Sequence, residues 1–342
     1  MKTNNPYTYL NLKRYLLIII LLLLIIRFSN GQTNHIISTQ GTNFLLNDKP
    51  FDYTGISFFN ALYNPSFNKS KKDRIHWLKK FQSYGINVIR VWAQWDNTRG
   101  FVDSCKECTL YFSDGSLNVE NLKVLKDIIY DADHTGMIVL FVLFQRESWN
   151  ENIRLSDEAS DKAVKYITDE LKPFRNLVFQ IWNEFDYRTV DYYHIIKSID
   201  PDRLVTNSPG YAGFLGSPDE NNVLDFLSPH TTRTTDRHWH IAPQEIAYLL
   251  QRYNKPVVDD EPARKGTQKF GGPTGVTDPY DHIIHMIKVL DEGGYVIYHH
   301  NMFQTGYESN AVPPSGIPDP EYDPYHLTVF EFLKIKNRYF EK

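Results

Sequence analysis

Short runs of β-branched and aromatic residues alternate along the chain with longer stretches in which apolar positions recur every three or four residues. The short runs predict strands at 51–57, 87–92, 137–144, 177–182, 203–207, 224–228, 256–260 and 295–299. The longer stretches predict helices at 71–84, 119–135, 156–172, 189–199, 218–222, 243–253, 281–292 and 325–340. Strand followed by crossover helix, repeated eight times, is the rhythm of a parallel sheet rather than of hairpins. The expected fold class is therefore α/β, a single-domain (β/α)8 barrel. An open doubly wound sheet would carry a Gly-rich phosphate turn after an early strand, and no G-x-G-x-x-G or P-loop occurs.

The amino terminus breaks this rhythm. Lys2, Lys13 and Arg14 precede an unbroken apolar run at 16–26, followed by Ser29, Asn30 and Gly31, small residues where a signal peptidase cuts. Eleven apolar residues fall well short of the roughly 20 that span a bilayer as a helix. Residues 1–31 thus read as a signal peptide and 32–342 as the catalytic domain of a secreted protein with no permanent membrane anchor.

Composition sharpens the picture. The 342 residues are 42% hydrophobic and 14% aromatic, enough for a large core, and 21 Phe, 22 Tyr and 6 Trp suit a cleft that stacks on the apolar faces of a ligand. Basic and acidic residues number 37 and 41, with no Lys/Arg stripe, which argues against nucleic acid as a partner. Removal of 1–31 leaves 33 basic against 41 acidic side chains. The only cysteines, Cys105 and Cys108, lie in a polar stretch of a chain expected to meet oxidising conditions, and a small loop disulfide is the preferred reading. A zinc site would need a second Cys/His pair at matching spacing.

In a parallel barrel the carboxyl ends of the strands converge on one mouth, so a polar residue just past an apolar run is well placed to act. The fourth run ends Trp182-Asn183-Glu184 and the seventh ends Asp259-Asp260-Glu261-Pro262. Glu184 and Glu261, on different sides of the mouth, suit glycoside hydrolysis: one carboxylic acid protonates the departing oxygen while a carboxylate meets the charge developing at the anomeric carbon. Either glutamate alone would be unremarkable as a residue in the first turn of a helix.

These elements resemble a known family. Trp182-Asn183-Glu184 after strand four, Glu261 after Pro256-Val257-Val258, and the segment from Gly85 to Arg90 through strand two are similar to the retaining (β/α)8 glycoside hydrolases of the cellulase-like clan, which includes family 5. The resemblance runs from about Phe51 to His300. It implies Glu184 as acid/base, Asn183 holding the sugar 2-hydroxyl, Glu261 as nucleophile and Arg90 paired with it. Arg90 beside Glu261 would keep the nucleophile ionised, whereas Glu184 would hold its proton through burial and a neighbouring negative charge. A salt bridge from Arg90 to Asp259 is the rival reading.

The sequence also departs from that pattern. Family 5 members commonly carry His at the end of strand three, His-x-Tyr after strand six and Trp after strand eight. Here those places read Phe144-Gln145-Arg146, His230-Thr231-Thr232 and Tyr298-His299-His300-Asn301. His230 matches, Thr232 stands where the family has a tyrosine that hydrogen-bonds the nucleophile, and Gln145, Tyr298, His299 and His300 are candidate sugar contacts. Trp95, Trp149 and Trp239, expected on loops after strands two, three and six, are candidate sugar platforms. The long segments after strands two, six and eight are expected to close the mouth into a pocket.

His230, His238 and His240 invite a metal reading, but metal-dependent hydrolases on this barrel place a His-x-His pair at the end of strand one, where this chain has Ser57-Phe58-Phe59-Asn60. The expectation is a secreted retaining β-glycosidase acting on an oligo- or polysaccharide, with no cofactor and no metal. The alternatives are a carbohydrate-binding barrel without catalysis and a metal-dependent amidohydrolase.

Overall fold

The computed structural model describes residues 34–94, 108–151, 154–233, 238–262, 278–300, 303 and 313–340. The expected leader at 1–31 lies outside them, and no helix among the described residues is long and apolar enough to cross a membrane.

The described chain opens with an antiparallel three-stranded sheet, β1 (Ile37–Gln40), β2 (Asn43–Leu46) and β3 (Lys49–Pro50), which the sequence reading did not expect. The turn between β2 and β3 is Asn47-Asp48, both left-handed at φ 50° and 62°, the geometry of a tight hairpin and a residue pair that tolerates it.

Seven parallel strands follow: β4 (Thr54–Ser57), β5 (Val88–Trp92), β6 (Ile138–Gln145), β7 (Leu177–Asn183), β8 (Val205–Ser208), β9 (Val258–Asp259) and β10 (Tyr295–Tyr298). Their order in the curled sheet is β8-β7-β6-β5-β4-β10-β9. β5, β6 and β7 are buried on both faces, as their unbroken apolar runs require.

The expected strand at 224–228 is not a full strand. It runs as a bridge between the two ends of the sheet: Asp225 N–H donates to Val205 C=O, Leu227 N–H to Pro256 C=O, and Val258 N–H to Leu227 C=O. Among the described residues the segment forms one β-bridge, Leu227 with Val257 on the β9 side, and toward β8 the backbone bond from Asp225.

Helices cover the outside of the sheet: α1 (Lys71–Ser83), α2 (Val119–His134), α3 (Arg146–Glu151), α4 (Asp157–Leu171), α5 (Thr189–Ile199), α6 (Pro218–Val223), α7 (His238–Tyr253), α8 (Pro279–Asp291) and α9 (Pro324–Ile335). Side chains of Ser70, Asn118 and Ser156 cap the first N–H groups of α1, α2 and α4. α7 begins five residues earlier than expected, with Pro243 inside it rather than at its first turn, and α3 was not expected at all.

The core has two parts. A large outer cluster fills the space between sheet and helices. A smaller one, including Val88, Leu140, Val178, Val258 and Ile297, fills the lower interior of the curled sheet, where Phe44 of β2 is completely buried. Its ring packs against Tyr53, Phe226 and Tyr295, with centroids 4.7, 5.2 and 5.1 Å away, so the hairpin plugs the end opposite the strand C-termini.

Candidate active site

Strand alternation sets the site's middle layer. Val88 and Arg90 face the interior from β5 and Val178 and Gln180 from β7, so the first member of each pair packs in the floor and the second stands one layer above it. Arg90 is fully buried, its guanidinium over the Trp92 ring at 4.6 Å. Arg90 Nε donates to Gln180 Oε1 at 3.0 Å, and Arg90 Nη2 to Asn183 Oδ1 at 2.6 Å. Nη2 also pairs with Asp260 Oδ2 at 2.9 Å, and Nη1 with Glu261 Oε1 at 3.4 Å. The rival partner Asp259 faces the helix layer instead, accepting from Thr231 Oγ1 at 3.1 Å and pairing with His285 Nε2 at 2.6 Å. With its oxygen held by Arg90, Asn183 keeps its amide NH2 to offer a ligand.

Glu184 follows the last residue of β7 in a left-handed conformation, φ 61°. That costs a β-carbon-bearing residue about 1 kcal/mol and occurs mostly where surrounding contacts enforce it. One oxygen each of Glu184 and Glu261 and one ring nitrogen of His230 lie within 4.8 Å of one another. His230 Nδ1 is 3.6 Å from Glu184 Oε1, and His230 Nε2 is 3.5 Å from Glu261 Oε1. These three form the only group among the described residues close enough to share a cation, and a guanidinium already pairs with both carboxylates.

That guanidinium belongs to Arg233, which the sequence reading missed. Arg233 Nη1 lies 2.8 Å from Glu261 Oε2, and Nη2 lies 3.1 Å from Glu184 Oε1. Thr232 turns away and donates to Glu245 at 2.6 Å, and it is the next residue, Arg233, that reaches Glu261. The second oxygen of Glu184 is also paired, with Arg146 Nη2 at 3.3 Å. Glu184 therefore meets two cations where burial and a neighbouring negative charge were expected. Arg146 is a missed residue too, although it immediately follows Gln145.

The titration of this layer follows from burial. Burial lowers His230 to about 4, against the pull of Glu261, so the ring is neutral at neutral pH. Burial pushes Asp260 up to about 8, opposed by Arg90 and reinforced by Glu261 and Asp259. Burial also works against the charge of Arg233, yet Glu261, Glu184 and Asp260 together hold it above its ordinary value.

The remaining sequence candidates divide. Gln145 lies at the end of β6, its Nε2 donating to Glu147 Oε2 at 2.7 Å and its Oε1 buried without a partner. His299 sits inside the mouth, Nδ1 3.0 Å from Ser57 Oγ and Nε2 3.7 Å from Glu261 Oε2. Its neighbours do not. Tyr298 points to the helix layer, its hydroxyl 2.7 Å from His326 Nδ1, and His300 packs there among Phe303, Tyr325 and His326. Trp149 is buried on α3 against Phe144 and Trp182, so it fills core and offers no sugar platform. Trp239 is half-buried at the start of α7, its ring against His238 and His240. Residues 95–107, with Trp95 and Cys105, and residues 304–312 lie outside the described residues. Cys108 is disulfide-bonded.

An aromatic face does reach the mouth, from the loop after β8. Tyr211 is 68% exposed, and its ring stacks on the Arg146 guanidinium at 4.3 Å. The loop is held in place by Gly213 N–H donating to His230 C=O at 2.8 Å.

No protein-family model matches the sequence, and neither does any curated protein. Solved structures do share its fold. A glycoside hydrolase family 5 protein from Bacteroides vulgatus superposes with a TM-score of 0.61 at 17% identity, covering 83% of this chain and 66% of its own. A glycoside hydrolase family 5 mannosidase from Rhizomucor miehei gives 0.63 at 13% identity, covering 90% and 98%. An endo-1,4-β-D-mannanase from Thermotoga petrophila gives 0.59 at 17%, covering 83% and 100%. A further Bacteroides vulgatus structure, a candidate glycoside hydrolase, gives 0.65 at 16%, and this chain spans 61% of its length. At these identities the likeness establishes the fold.

Proposed function

We propose that this chain is a retaining β-glycosidase, with Glu261 as nucleophile and Glu184 as acid/base. The observation that carries the reading is the pair itself. Two glutamates from opposite parts of the sheet, one after β7 and one after β9, bring an oxygen each within 4.8 Å of one another over the mouth. Retention needs carboxyl groups about 5–5.5 Å apart, whereas inversion needs a wider gap that admits water. In this reading 225–228 acts as the eighth strand, closing the sheet into a barrel.

The division of labour is the one the resemblance implies, since each glutamate faces two guanidinium groups. Glu261 is faced by Arg90 and Arg233, which favour the charged nucleophile, and its attack on the anomeric carbon forms a glycosyl ester while Glu184 passes a proton to the departing oxygen. Glu184 then takes a proton from water, which hydrolyses the ester. Asn183, with its oxygen engaged by Arg90, would give its NH2 to a sugar hydroxyl beside the reacting carbon. Neutral His230 would contact sugar without competing for the proton, and His299 would contact sugar beside Glu261. The substrate class is an oligo- or polysaccharide, met outside the cell after 1–31 is removed.

The test is covalent trapping. Incubation with a panel of 2-deoxy-2-fluoro-β-glycosides bearing good leaving groups should add the mass of one fluoro-sugar, located by peptide mapping to Glu261. Hydrolysis with inverted anomeric configuration, or a label on another residue, would overturn the assignment.

A further inference from the structure

The leaving-group side of the cleft carries a feature that a neutral sugar does not explain. Glu184 Oε1 faces Glu261 by way of Arg233 and His230, whereas Oε2 faces away, toward Arg146. Arg146 and Tyr211 thus lie beyond Glu184 as seen from the nucleophile, where the sugar on the departing oxygen would sit.

To give its proton to that oxygen, Glu184 has to leave its ion pair with Arg146. With a neutral leaving sugar this would leave a largely buried guanidinium with one carboxylate fewer while its Nη1 is already buried without a partner, a costly arrangement. The neighbouring Glu147, 2.8 Å from Arg146 Nη2, does not reach that free nitrogen in the structure. The Tyr211 ring holds the guanidinium plane at 4.3 Å and is itself widely exposed, so an incoming ring has a surface to slide along and a planar fork of donors beneath it.

We propose, on the glycosidase reading above, that the leaving-group sugar bears an anionic group, a uronate carboxylate or a sulfate ester, which pairs with Arg146 over the Tyr211 ring and releases Glu184 to act as acid. Arg146 supplies two donors in a fixed plane, the geometry that a carboxylate or a sulfate accepts. Arrival of the anion replaces Glu184 in the ion pair, so the charge of the cleft stays balanced when Glu184 is protonated. Gln145, whose Oε1 lacks a donor, is placed to accept from a hydroxyl of the same sugar.

The experiment compares kcat/KM of the intact protein on matched β-disaccharides across several donor sugars. The leaving sugar is neutral, oxidised to the uronic acid, or sulfated at the same carbon. The anionic members are expected to be cleaved faster by on the order of 100-fold, a preference that shrinks as salt is raised; the faster of the two anions identifies the source. Arg146→Met should bring the ratio of anionic to neutral rates toward one, and Arg146→Lys should retain part of it. Equal rates on neutral and anionic members would overturn the anionic leaving sugar and leave the glycosidase reading standing. Absence of turnover on every member, with no fluoro-sugar label, would overturn both.

Discussion

Arg233 spans the two glutamates of the mouth, 2.8 Å from Glu261 and 3.1 Å from Glu184. One buried cation thus serves as counterion to both, allowing two carboxylates to approach within 4.8 Å in a low-dielectric layer. Arg90 cannot do this alone, because its guanidinium is already shared among Gln180, Asn183, Asp260 and Glu261.

Replacing Arg233 by Met should therefore destabilise the fold. It leaves two carboxylates facing each other without their shared partner, a change expected to cost about 3 kcal/mol for a buried pair. Urea unfolding followed by intrinsic fluorescence would measure it. An unchanged midpoint would show that the glutamates do not depend on this cation.

The two glutamates should fail in different ways. Glu261→Ala is expected to lose turnover on every substrate, since no covalent intermediate can form. Glu184→Ala should spare the first step for aryl glycosides with acidic leaving groups while slowing sugar leaving groups by roughly 10²–10⁴-fold. Pre-steady-state release of the aryl group reads the first step directly, and equal losses for both substrate types would refute Glu184 as the acid.

Stability should pass through a maximum near pH 6.5. Burial lowers His230 and His326 to about 4, so the folded state binds fewer protons than the unfolded one between about 4 and 6.5, and stability rises with pH there. Asp260 shifts the other way, to about 8, so its contribution is complete below the ordinary carboxylate range and is lost as pH rises toward 8. Below 6.5 the two histidines act against Asp260 and, toward the acid end, against Glu220 and Asp225, which burial also raises; above 6.5 the histidines no longer contribute and Asp260 sets the decline toward 8. Asp260→Asn keeps an acceptor for Arg90 and should flatten the decline between pH 6.5 and 8, as measured by Tm against pH.

Phe44→Ala should cost roughly 3–5 kcal/mol, the range for emptying a fully buried aromatic site. The cavity opens at the floor, away from the glutamates, so kcat/KM of the folded variant is expected to stay within about twofold of the parent. Calorimetry and kinetics on the same sample separate the two effects.

Much of this arrangement is legible in the chain because a strand buried on both faces writes an unbroken apolar run. β5, β6 and β7 show such runs, and the residues just beyond β7 and β9 are the carboxylates that meet at the mouth. Strand alternation also carries information that the sequence reading left unused. Tyr298, His299 and His300 cannot share a face, and only His299 turns inward. Trp149 looks like a loop aromatic in sequence, yet the short helix α3 folds it into the core. Arg233 lies on an irregular segment with no periodicity to place it. The hairpin β1–β3 was missed because ISTQ and NFLL contain no long apolar run; the pair Asn47-Asp48 was its one strong signal.

The plug has a consequence for synthesis. Phe44 N–H donates to the Tyr295 hydroxyl across 251 positions of sequence, and the same two rings pack at 5.1 Å. At roughly 5–20 residues per second, translation delivers the second ring on the order of tens of seconds after the first. Throughout that interval the nascent chain carries an apolar lower end that nothing later in the sequence has yet arrived to seal. This contact therefore cannot seal the floor until Tyr295 has been made.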